Sequence, residues 1–94
     1  MKGTEKQIKW AEDIKAGMYK EIELMRSNRA RFDAIPNGAM LYPYTTECIN
    51  AVEAEVNAFW QRPELEDASV VINNRNMLGK AVKLSADKWM KENG

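Results

Sequence analysis

The sequence predicts an all-α fold: a small bundle of three main helices, with a long amphipathic helix at the N-terminus and a proline-containing extended connector after it. Three observations carry this prediction. Apolar residues recur at spacings of three and four through the first third of the chain, the period of a helix with one buried stripe. A strong stop, Ile35-Pro36-Asn37-Gly38, separates that stripe from a second one of the same period, and a third closes the chain. The 94 residues, 45% hydrophobic and 30% charged, suit one helical domain over 1–94 with a single core.

In the first helix Thr4 is placed as N-cap, and Gln7 three residues later completes a capping box. Ile8, Ala11, Ile14, Met18, Ile22 and Met25 form the stripe, with Glu5/Lys9, Glu12/Lys15 and Glu23/Arg26 as charge pairs on its flanks. Gly17 interrupts good helix formers at a cost of about 1 kcal/mol against alanine, and is expected to mark a close helix crossing or a slight bend. The helix is expected to fade between Ser27 and Ala34. At 1.5 Å per residue it would be about 40 Å long, long for so small a body, so part of its stripe is expected to need a second subunit.

Pro36 restricts the residue before it, and Asn37-Gly38 supplies the positive φ of a tight turn. Ala39–Tyr44 is apolar but contains Pro43, which predicts an extended connector packed on the core, with a short edge strand as the alternative. Thr45 or Thr46 caps the second helix, Glu47 favours its positive end, and Ile49, Val52, Val56 and Phe59 or Trp60 give its stripe. Pro63–Asp67 reads as a proline-opened helical turn, and Asp67 can cap a helix through Ala68, Val71 and Ile72. Ser69–Ile72 alone would pass as a strand; the asparagines that follow and the helical context favour helix. Asn73–Asn76 reads as a turn or helix junction. The last helix places Leu78, Ala81, Val82, Ser85 and Trp89 on one face, with Lys80, Lys83, Lys88 and Lys91 mostly off it.

Fourteen basic and fourteen acidic residues balance to zero, so the chain lacks the net positive footprint of a polybasic nucleic-acid binder. Duplex nucleic acid is not an expected partner. The absence of histidine removes His-based triads and His-ligated zinc, and one cysteine makes no internal disulfide. No metal and no cofactor is expected. No apolar run approaches the roughly twenty residues of a membrane helix, and no apolar segment follows the charged N-terminus, so a cytoplasmic protein without membrane contact is expected.

The neutral total conceals an uneven distribution: +3 over residues 1–32, −6 over 33–67 and +3 over 68–94. One reading is an acidic central helix packed between two basic ones. The other makes the acidic surface, with Glu53 and Glu55, a docking face for a basic partner, joined by the loop aromatics Tyr42 and Tyr44. Among the basic residues, Arg26, Arg29 and Arg31 with Lys20 make the densest cluster. Arg26, Arg29 and Arg75, with Tyr42 to stack on a base, are the candidate site for a nucleotide or other phosphorylated ligand. The plainer alternative is a solubilising helix end whose arginines favour the C-terminal dipole.

Trp10 and Tyr19 fall at the margins of the first stripe, and Met18, Met25 and Met77 are expected to fill the core. The adjacent or nearly adjacent carboxylates Glu12/Asp13, Glu53/Glu55 and Glu66/Asp67 point apart on a helix and make no ready acid–base pair. Cys48, lacking a general base, reads as a small semi-buried residue.

Gly3–Lys15, the string GTEKQIKWAEDIK, resembles an opening shared by many small, largely uncharacterised proteins of bacteria, their phages and mobile elements. Asp67-Ala68-Ser69 through Asn74-Arg75 is faintly similar to a second stretch of that group. The resemblance brings no activity and no functional residue. It implies an accessory protein that binds and modulates something else, host-defence machinery being one target class. The expected function is therefore a non-enzymatic module that docks on another macromolecule, of the phage or mobile-element inhibitor type, with a protein partner and a homo-oligomeric state. An oligomeric binder of a nucleotide or other phosphorylated ligand is the alternative.

Overall fold

A computed structural model describes residues 1–94. Helix α1 runs Glu5–Ala34, α2 Thr46–Phe59, α3 Ala68–Asn73 and α4 Arg75–Asn93, with 3₁₀ turns at Gly38–Leu41 and Pro63–Glu66. There is no strand; a lone parallel bridge joins Lys2 to Asp67. The all-α bundle of three main helices is thus the fold, and α3 is a six-residue link.

The local signals act as the chemistry dictates. Thr4 and Gln7 form the reciprocal capping box on α1. Thr45 accepts from the Cys48 amide and caps α2, and Asp67 accepts from the Ser69 amide and caps α3. The Asp67 carboxyl is held below its ordinary range, chiefly by the Ser69 hydroxyl and then by the Ser69 amide. The Lys2 carbonyl accepts from the Ala68 amide, tying the start of α1 to the start of α3.

Ala11, Met18, Ile22 and Met25 of α1, Cys48, Ile49, Val52 and Val56 of α2, Leu65, Ala68 and Val71, and Leu78, Val82 and Ala86 of α4 form one core. Fully burying each large aliphatic side chain contributes about 1.5–3 kcal/mol. The body measures 50 × 24 × 18 Å, with a radius of gyration of 15.2 Å against about 12 Å for a compact chain of this length. It is a rod built on α1. The chain's own α2, α3 and α4 cover the α1 stripe, so that stripe does not call for a second subunit.

Several expectations are corrected. Ala39–Tyr44 is not extended throughout: Gly38–Leu41 forms a 3₁₀ turn, and extended backbone resumes at Tyr42. The positive φ expected of the Asn37-Gly38 pair is present, on Asn37, at 60°. Gly38 answers a different need, because a Cβ there would collide with the Phe32 carbonyl and the Ile35 side chain. Gly17 marks no close crossing; a Cβ on it, or on Gly79, would meet nothing within 4 Å. Met77 is not core. It stands 72% exposed, because α4 begins at Arg75 and its phase turns Leu78 inward instead.

Candidate functional site

The densest polar construction in the molecule surrounds Arg29. The α1 stripe, running Ile22 and Met25, reaches Arg29 next, and its side chain is buried with it, only 8% exposed. Its Nε and Nη2 both donate to Asp33 Oδ1, at 3.1 and 2.7 Å. Its Nη1 donates to the carbonyls of Tyr42 and Tyr44, at 3.1 and 3.0 Å, and Nη2 donates to that of Ala39 at 2.9 Å. These five bonds match the full donor inventory of a guanidinium. A buried charge is tolerated only when so satisfied.

Aromatic packing completes the clamp. The Tyr42 ring stacks on Phe32, with centroids 5.4 Å apart and planes within 8°, and meets Tyr44 edge-on at 5.5 Å. The Arg29 guanidinium lies 5.5 Å from the Tyr42 centroid. Tyr44 Oη donates to Asp87 of α4, fastening the connector to the far side of the bundle. That bond, then burial, then the Asp87 charge push the Tyr44 hydroxyl up to about 12.

What the clamp holds outward is apolar. Met40 is 91% exposed and Leu41 71%, and Ile35 stands half exposed beside them. No charged residue occurs from 35 to 46, although the chain is 30% charged. Gly38 donates to the Ile35 carbonyl at 2.8 Å, closing the turn from which these side chains project. The result is a tip whose backbone is fixed from inside and whose aliphatic side chains meet water. Such pre-organisation reduces the ordering cost of binding.

The sequence-predicted ligand residues are not brought together. Arg29 is fully engaged and Arg26 is turned to α2, where it donates to Asn50 at 2.9 Å and pairs with Glu53 at 3.2 Å. Arg75 lies towards the other end of α1, donating to the Ile72 carbonyl at 2.9 Å, with its guanidinium 5.3 Å from the Trp10 ring. Tyr42 is shared with the clamp rather than free to stack on a base. Glu53 and Glu55 diverge likewise: Glu53 faces α1 through Arg26, whereas Glu55 accepts from Ser85 of α4 at 2.6 Å. They do not form one acidic face. Tyr42 and Tyr44, expected as exposed contact aromatics, are half-buried anchors. Cys48 is buried, its thiol pushed up by burial and then by the Asp87 charge.

No three His, Cys, Asp or Glu side chains converge as a metal site, and no helix is long and apolar enough to cross a membrane. On the other half of the molecule, a groove of about 330 Å³ opens between the end of α2, the Pro63–Glu66 turn, α3 and the start of α4. Phe59, Leu65, Val70, Met77 and Ala81 are among its walls, Met18 is in its lining, and Glu55 and Glu64 stand among its polar residues. Sequence reasoning missed both the tip and the groove. The signal for the tip was the uncharged stretch itself, read as connector rather than contact surface.

Comparison with known proteins adds no relative: no family model, curated protein or solved structure matches this chain.

Proposed function

We propose that this protein is a non-enzymatic docking module, and that its contact surface is the tip formed by Ile35, Met40 and Leu41. The observation that supports this most is the coupling of a buried, fully bonded arginine to exposed aliphatic side chains. Folding stability alone gains nothing from holding Met40 and Leu41 in water. Both are uncharged, adjacent and pre-set in a 3₁₀ turn, as anchors that insert into an apolar recess are. The mode of action is steric: the rod presents its tip, a recess on a protein partner accepts it, and the bulk of the bundle covers the surrounding surface. This is the accessory, modulating role that the N-terminal resemblance implies, and an inhibitor of host-defence machinery is one form of it.

A photo-cross-linking residue placed at position 40, with the same residue at exposed Lys9 as control, tests the reading in lysate of the native host. Adducts are expected from position 40 and not from position 9, and Leu41→Glu is expected to abolish them. Equal labelling from both positions, or adducts indifferent to Leu41→Glu, would contradict it.

A further inference from the structure

Resting on the docking reading, we infer that the tip's partner is the apolar groove of a second copy of this chain, so that the protein assembles head to tail. The two surfaces are complementary in shape and polarity. The tip offers adjacent aliphatic side chains on a fixed backbone, and the groove offers about 330 Å³ walled by Phe59, Leu65, Val70, Met77 and Ala81. They are complementary in charge as well. Arg31, in the last turn of α1 beside the tip, makes no ion pair, whereas the groove carries Glu55 and Glu64. The one cation there, Arg62, is drawn over the Phe59 ring at 5.4 Å. A formal charge of zero leaves no net repulsion between copies.

A chain cannot fill its own groove. The tip follows the end of α1 at Ala34, sixteen residues beyond Met18 in the groove lining, roughly 24 Å further along the helix. The contact therefore joins unlike surfaces on neighbouring copies, and such a heterologous contact repeats into a ring or an open chain instead of closing as a two-fold dimer. The exposed Met77, displaced from the core by the start of α4, thereby acquires a role as groove wall.

Sedimentation equilibrium on six samples tests this at up to about 1 mM protein, where even weak contacts are populated. The wild type is expected to show an average mass that climbs with concentration past that of a dimer. The tip variant Met40→Glu/Leu41→Glu and the groove variant Met77→Glu/Ala81→Glu are each expected to remain monomeric. Their equimolar mixture is expected to form a dimer and nothing larger, because each partner retains one working surface. Arg31→Glu is expected to weaken association and Glu64→Arg in the same chain to restore it, a readout that does not depend on the groove variant folding. A wild type that stays monomeric at 1 mM, or self-association that survives in the tip variant, would overturn the inference. If the wild type is monomeric while position 40 still gives Leu41-dependent adducts of other mass in lysate, self-assembly falls and the docking reading stands. If position 40 gives no such adducts, both fall.

Discussion

At the connector end of the rod, one buried arginine gives all its donors to a carboxylate and three carbonyls, and the aliphatic side chains it frames face water. At the groove end, Phe59, Leu65, Val70 and Ala81 line a recess, and the cross-helix polar bonds nearby, Ser85–Glu55 and Tyr19–Asn57, join side chains alone and hold no backbone carbonyl. Polar groups fix the backbone in the first region, and apolar groups lie open in both. A knob and a hole, each held at a different end, are what the proposed docking module needs. The contrast also locates rigidity: the connector is pinned by specific bonds and the groove by general packing.

The largest expected effect strikes that contrast directly. Arg29→Met should lower unfolding free energy by about 3 kcal/mol or more, since it strips partners from Asp33 and from three carbonyls at once. Arg29→Lys should be nearly as damaging, because an ammonium lacks the planar five-donor fork. Arg75→Met, which removes one carbonyl bond and a contact with Trp10, should cost no more than about 1 kcal/mol. Urea denaturation of the three variants measures this, and equal losses from Arg29→Met and Arg75→Met would erase the distinction.

Glycine substitutions sharpen it with opposite signs. Gly38→Ala should destabilise by about 1–3 kcal/mol, because its Cβ runs into the Phe32 carbonyl. Gly17→Ala and Gly79→Ala, open to space on α1 and α4, should each stabilise by up to about 1 kcal/mol. Thermal melts of the three variants decide the signs.

The smallest effect concerns the fastening of the connector to α4. Tyr44→Phe removes the bond to Asp87 and should cost about 1 kcal/mol at neutral pH. The folded-state value of Tyr44 is raised to about 12, so the stabilisation is fully present below about pH 10 and is lost as pH rises through about 12. Urea melts of wild type and Tyr44→Phe at pH 8 and pH 11.5 should therefore show a clear gap at the first pH and a smaller one at the second. A gap that widens with pH would reverse the assigned cause.

Much of the frame was legible because helix period and caps are local. Thr4/Gln7, Thr45 and Asp67 each act within three residues of themselves, and the stripes on α1, α2 and α4 bury largely the residues their spacing marks. The connector was not legible in the same way. Its 3₁₀ turn depends on carbonyls reaching a side chain ten to fifteen residues earlier in sequence, and no local propensity encodes that. Arg29 nevertheless gave a trace: it continues the phase of Ile22 and Met25, with Asp33 four residues on. An arginine in register with a buried stripe belongs to the interior, and its charge alone points the other way. Met77 shows the converse, an apolar residue read as core whose helix starts one position out of phase with it.

A docking surface built by Arg29 requires the tip to be rigid before anything binds it. Backbone ¹⁵N relaxation of the free monomer at low concentration reports this for Ala39, Met40 and Leu41. Order parameters near 0.85, matching those of α1 and α2, are the predicted result, with a fall at all three in Arg29→Lys. Values below about 0.6 in the wild type would show a mobile loop and contradict the claim that Arg29 builds a docking surface.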